Sequence, residues 1–192
     1  MSKIAIICYQ FHSKMRLRRW SASEIAEFVL QADNQLANLI DQLPPHLQND
    51  ELETVETRDR DTHRPWIPYQ KTSLAMVILY YRLAVNRILQ SHWLKGSANY
   101  ARARSVCLSC AMGIVNSAVT CRNISSRMRS WAFAMEIYSS AVTLALEVQG
   151  SEEQNEHYTL AILECKKFLM GVKDQNKLAS VALDMLNDLI QG

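Results

Sequence analysis

The sequence has only 5 glycines in 192 residues, and they are scattered. Neither a G-x-x-x-x-G-K-[ST] phosphate loop nor a G-x-G-x-x-G dinucleotide turn can be built from them. G-x-S-x-G and H-E-x-x-H are also missing, so the common signatures of acyl-transfer and zinc-protease chemistry are absent. Proline is confined: all four, Pro44, Pro45, Pro65 and Pro68, lie between residues 44 and 68. No segment alternates apolar and polar residues at strand length, and no tight hairpin signal occurs. The longest uninterrupted apolar run, Leu74 to Tyr81, is far short of the ~20 residues of a membrane-spanning helix. Lys3 followed by Ile4 to Cys8 is too brief for a signal-peptide core. Charge is nearly balanced, with 21 Lys+Arg against 19 Asp+Glu and a net +2, so no chain-wide field attracts a nucleic acid. The five cysteines, at 8, 107, 110, 121 and 165, are odd in number and dispersed, which excludes a secreted disulfide framework and points to a reducing compartment.

What is present is helical periodicity. With 48% hydrophobic residues the chain is long enough to bury one core without cross-links. Ser21 and Glu24 have capping-box spacing. The apolar residues Ile25, Phe28/Val29, Ala32, Leu36 and Leu39/Ile40 then recur at three- and four-residue intervals up to Pro44, so residues 21–43 read as a helix. Residues 44–68, which hold the prolines and Asp50, Glu51, Glu53, Glu56, Asp59 and Asp61, read as a surface loop. The remainder divides at "KGSAN", "CRNISSRMRS", "GSEEQNE" and "KDQN" into helical segments near 70–94, 99–119, 130–149, 156–172 and 176–190. The expected class is an all-α, irregular bundle of about six to seven helices in one domain.

Five features carry candidate chemistry. Lys14, Arg16, Arg18 and Arg19 form a basic patch that is equally a solvated helix flank. Cys107 and Cys110 have C-x-x-C spacing, yet on a helix they join Ala111, Ile114 and Ala118 in an apolar stripe, and a structural zinc would need two more ligands. The acids of "NDELETVETRDRD" lie beside prolines without helical period, which favours a solvated loop over a metal-binding aspartate pair. The segment 131–149 is broadly apolar with a narrow polar arc of Glu136, Ser139, Ser140, Thr143 and Glu147, and a bundle of such helices can enclose a small-molecule pocket. The run 74–94 is apolar nearly all round and still carries Arg82, Asn86, Arg87 and His92. Unpaired charges buried there would be costly, so these residues read as paired or marginal side chains of a central helix.

Taken in order, several stretches resemble the second half of the fungal-specific transcription factor regulatory domain, the middle homology region of zinc binuclear cluster regulators. They are "LANLIDQLPPHL" with Leu43, Pro44 and Leu47, "LAMVILYYRLAVNRIL" with Tyr80/Tyr81, Arg87 and Leu89, "CLSCAMGIV", "WAFAMEIYSSAVTLAL", "LAILECKKFLMGV" and "LASVALDMLNDLI". Asn86 stands where that family often has His, and Ile88 where it often has Pro.

The resemblance implies a nuclear, non-enzymatic regulatory module, here a partial domain, working through a protein partner, self-association or a small-molecule effector. Tyr81, Arg82, Asn86, Arg87 and His92 are the effector or pocket-margin candidates. No cofactor, metal or membrane partner is implied. The family's six-cysteine DNA reader is absent from this sequence, so no direct nucleic-acid contact is expected. A non-transcriptional helical scaffold is the alternative reading, and a small helical isoprenoid-type enzyme or binder is a further one.

Overall fold

Ser21 opens the second helix as the sequence predicts. Its hydroxyl accepts from the Glu24 backbone N–H at 3.3 Å while the Glu24 carboxylate accepts from the Ser21 N–H at 2.9 Å. Two of the orphan donors at that helix start are thereby satisfied. The computed structural model describes residues 2–48, 51–120, 131–150 and 155–191. Their elements are α1 (Ser2–Leu17), α2 (Ala22–Asp41), a 3-10 turn at Pro45–Leu47, α3 (Val55–His63), α4 (Trp66–Arg87), α5 (Gln90–Trp93), a second 3-10 turn at Ala98–Tyr100, α6 (Ala101–Thr120), α7 (Trp131–Gly150), α8 (Glu156–Val172) and α9 (Lys177–Gln191). Among the described residues there is no strand, and the architecture is an all-α irregular bundle. The break expected at 121–130, Cys121 with it, and residues 151–154 of the break expected at "GSEEQNE" lie outside the described residues.

Helices α4, α6 and α7 form a central trio in which α4 on α6 is the most extensive interface and α6 packs in turn on α7. The α1–α2 pair lies on the α4 side of this trio and the α8–α9 pair packs against α7. Leu36, Met76, Ile78, Leu83, Leu89, Ile114, Ile137, Leu144, Leu169 and Leu186 are fully buried where these layers meet. Helix α6 is the one described helix long and apolar enough to cross a membrane by length and composition. Its residues Cys107, Cys110, Ala111, Ile114 and Ala118 are buried in the bundle, as in a core helix.

Beyond α1, which no expected segment covers, three elements differ from the sequence reading. Residues 55–63, placed in the 44–68 loop, form α3. This helix buries no residue and is held at its ends: Thr54 and Thr57 cap each other reciprocally, at 3.2 Å and 2.8 Å. Arg60 forks onto Glu51 at 2.6 Å and 2.9 Å. Those two hydrogen bonds, with Lys71 nearby, hold the Glu51 carboxyl down at about 2. Helix α4 begins at Trp66, inside the same window, because Pro68 lies in the first turn, where an N–H has no helical partner to lose. The run 70–94 is also two helices rather than one. Asn86 Nδ2 donates back to Arg82 O at 2.9 Å, and the chain turns at Ile88–Leu89 before α5. Such back-bonding competes with regular helix geometry.

Helix α7 departs from ordinary amphipathic logic. Its polar arc, Glu136, Ser139, Ser140, Thr143 and Glu147, is buried, while Trp131 is exposed. The hydroxyls are satisfied by their own helix: Ser140 Oγ donates to Glu136 O at 2.9 Å and Thr143 Oγ1 to Ser139 O at 2.8 Å. Those bonds satisfy the two hydroxyls, whereas Glu136 Oε2 is buried without a hydrogen-bond partner among the described residues. Small residues on the opposite side, Ala134, Ala141 and Ala145, are buried as well, so α7 is covered on two sides.

A candidate effector cleft between α2, the end of α4 and the start of α6

The turn at Ile88–Leu89 has a geometric result. A cleft of about 280 Å³ opens between α2, the end of α4, the second 3-10 turn and the first residues of α6. Val29, Leu30, Leu89, Tyr100 and Ala103 supply apolar wall, with Ala26 beside them. The polar lining is Glu27, Asp33, Asn86, Asn99 and Arg102. No Ser, Cys or His is among the lining residues.

Asp33 is the buried anion of the site, only 1% exposed. It occupies the apolar face of α2 that carries Val29, Ala32 and Leu36, one turn from each end of that stripe. Three donors compensate it. Arg82 Nε reaches Oδ1 at 2.7 Å, Arg82 Nη2 reaches Oδ2 at 3.2 Å, and Asn86 Nδ2 reaches Oδ1 at 3.2 Å. The guanidinium fork matches the carboxylate plane, the arrangement that best repays desolvation of both ions. Hydrogen bonding to Asp33 is also the main cause raising the Arg82 pKa above its ordinary value. At the rim, Arg102 Nη2 donates to Asn34 Oδ1 at 2.6 Å. Behind Tyr100, the His92 ring lies tilted with centroids 5.2 Å apart.

The five residues singled out in the sequence therefore separate. Asn86 lines the cleft, Arg82 braces it through Asp33, and His92 backs Tyr100. Tyr81 is not among the lining residues. It stacks edge-on against Tyr80 at 5.5 Å, with its phenol raised by burial. Arg87 does not line the cleft either; its field is felt by the Cys107 thiol. Asp33, Leu89, Tyr100, Arg102 and Ala103 were missed. For Asp33 a signal existed: an acid placed four residues after Val29 and three before Leu36, inside the buried stripe.

Cys107 and Cys110 are buried in α6, and Cys107 Sγ approaches Leu83 O at 3.7 Å. Burial pushes the two thiols up to about 12 and about 11, so neither forms a thiolate near neutral pH. On α7, the buried Glu147 accepts from Trp93 Nε1 at 3.2 Å and from Arg104 Nε at 2.6 Å, which ties α5 and α6 to α7. Among the described residues no three His, Cys, Asp or Glu side chains gather as a metal site.

A largely apolar cavity of this size with a neutralised polar floor is suited to holding one small molecule by shape and a few hydrogen bonds. Its single deeply buried carboxylate is already occupied by Arg82 and Asn86. Compared with models of protein families, with curated proteins and with solved structures, the chain finds no match.

Proposed function

We propose that this chain is a regulatory module that binds a small, mainly apolar effector in the α2–α4–α6 cleft and passes occupancy to a protein partner, without contacting nucleic acid itself. The observation that carries the reading is the cleft floor. Asp33, Arg82 and Asn86 join α2 to the end of α4, so a ligand pressing on Asn86 and Leu89 acts on the junction of two packing layers. The sequence resemblance to a fungal transcription factor regulatory domain supports the same assignment and a nuclear location. A helical scaffold that works by protein contacts alone is the second reading, favoured by the exposed apolar residues of α8 and α9.

The test fuses the chain to a heterologous DNA-binding domain beside a reporter gene. Leu30 lines the cleft from its partly exposed rim, so Leu30→Trp fills the cavity while sparing the core. A regulator gives a reporter level that differs from the DNA-binding domain alone and that changes in Leu30→Trp. A reporter indifferent to both removes the regulatory reading. A reporter effect insensitive to Leu30→Trp favours the scaffold. Anisotropy of the isolated chain with labelled duplexes is expected to show no sequence-selective binding, since a net charge of +2 supplies no broad phosphate-attracting field.

A further inference from the structure

Helix α1 has two faces of different character. Ile4, Cys8 and Phe11, at four- and three-residue spacing, are buried against the bundle. On the opposite arc Ile6, Tyr9 and Leu17 are 55%, 74% and 77% exposed. A helical projection at 100° per residue puts these three together with Ser13 in one outward stripe. Lys3 and Lys14 border the stripe on one margin and Arg16 on the other, and Arg18 and Arg19 follow at its C-terminal end. The five cations occur before the first acid of the chain, Glu24.

Lys3 Nζ donates to Gln42 Oε1 at 3.0 Å and Lys14 Nζ lies 5.4 Å from the Phe28 ring, neutral partners that leave both charges uncompensated. Arg18 pairs with Glu24 at 2.9 Å and lies over the Trp20 ring at 3.9 Å, but Arg16 and Arg19 have no ion pair among the described residues. A groove of about 300 Å³ between α1 and α2 includes Lys3, Ile6, Ile7 and Leu39 and is otherwise lined by amides. A second groove beside it is bordered by Gln10, Lys14, Gln31 and Gln35. Neither groove contains a carboxylate.

We infer that the outward face of α1 docks on the headgroup region of an anionic lipid bilayer, with the helix lying in the membrane plane. The partner follows from the pairing of features. Cations on both margins call for an anionic surface, and the apolar stripe between them calls for one with a hydrocarbon boundary just beneath its charges. A nucleic acid would answer the cations and leave Ile6 and Leu17 in water. A second copy of this chain on the same face would set Lys3, Lys14 and Arg16 against their like. The sequence alone reads Lys14 to Arg19 as a solvated flank and implies no membrane. That reading changes because the exposure of Ile6, Tyr9 and Leu17 becomes visible only when the buried side of α1 is known. The inference is independent of the effector cleft.

The experiment is co-sedimentation of the full chain with vesicles of phosphatidylcholine alone and of phosphatidylcholine with phosphatidylserine. The chain is expected to sediment with the anionic vesicles and to remain in solution with the neutral ones. Arg16→Gln and Arg19→Gln are each expected to weaken binding about fivefold, the factor for one basic residue at an anionic surface. Raising salt to about 1 M, where the Debye length falls to ~3 Å, is expected to remove most of the binding. Ile6→Ser/Tyr9→Ser/Leu17→Ser tests the stripe without touching the core, with circular dichroism as the check on folding. This variant is expected to release the chain from anionic vesicles. Equal sedimentation with both vesicle types, no sedimentation with either, or undiminished binding of the triple serine variant overturns the inference. Tight competition by a single-stranded RNA, with the serine variant binding that RNA as well as the parent does, assigns the cations to nucleic acid and overturns it too.

Discussion

Glu136 is the residue whose environment is least ordinary. It is buried on α7, its Oε2 has no hydrogen-bond partner among the described residues, and burial raises its pKa from 4.5 to about 7. A raised carboxyl pKa means that the folded state holds its proton more tightly than the unfolded state does. The stability this contributes is complete below about pH 4.5 and is lost as pH rises through about 7. Over that window the loss is of order 3 kcal/mol, from ~1.4 kcal/mol per unit. Glu136→Gln removes the charge and keeps the shape. Denaturant melts are expected to show the two proteins alike near pH 4.5 and the variant more stable at pH 8; curves that stay superimposed across the range would contradict the assignment.

The Asp33–Arg82 pair has an asymmetric expectation at the same scale. Asp33→Ala strands a guanidinium that is mostly shielded from water and costs about 3 kcal/mol, whereas Asp33→Leu with Arg82→Met costs much less. Urea unfolding of the single and double variants measures the difference. If the double variant loses as much as the single, the pair is not what the cost reports. Arg82 and Asn86 were legible in the sequence because polar groups inside an apolar run must find partners. Their partner was not, since residues 49 and 53 positions away are brought together by tertiary packing alone. The thiols follow the opposite pattern. An apolar stripe already explained Cys107 and Cys110, and both are expected to resist a thiol reagent until the chain unfolds.

At the scale of elements, the helices that sequence period and caps announced are those with a buried stripe to advertise. The observed α8 and α9 start within a residue of their expected positions. Helix α3 gave no such signal, because nothing in it is buried and its caps are threonines rather than a Ser-Glu box. The pattern of α7 was legible and its orientation was not: a helix with little contrast between faces is turned by the size of its residues as much as by their polarity. Gly113 of α6 shows the same effect. A Cβ there would come within 3.0 Å of Leu79 Cδ1, so the glycine sets the spacing of α4 and α6. Ser21→Ala removes one arm of the α2 cap and is expected to cost about 1 kcal/mol. A melting temperature unchanged by that substitution would mean that the first turn of α2 is held by its packing instead.

For the whole molecule, exposed apolar side chains are not confined to α1. Leu160, Leu163 and Met170 lie on the outward side of α8, and Val181 and Met185 are exposed on α9. Patches of several hundred Å² on a soluble surface usually mark association. Light scattering is expected to show mass rising with concentration, and Leu160→Ser/Leu163→Ser/Met170→Ser is expected to flatten that rise. A constant monomer mass would assign these residues to the scatter of single hydrophobes that any surface carries.

The turn at Ile88–Leu89 also divides the molecule in time. Four-residue α5 is anchored by Leu89 and Trp93 and by two long-range hydrogen bonds, from Gln90 Nε2 to Thr143 O at 3.5 Å and from Trp93 Nε1 to Glu147. A short helix with so few anchors can open without unfolding the bundle, at a free energy well below the global value. Amide hydrogens of residues 90–94 are therefore expected to exchange ahead of those of α4. Because Leu89 is also a wall of the cleft, a molecule held there is expected to slow that local exchange, so occupancy would be written into how often α5 opens rather than into where it sits.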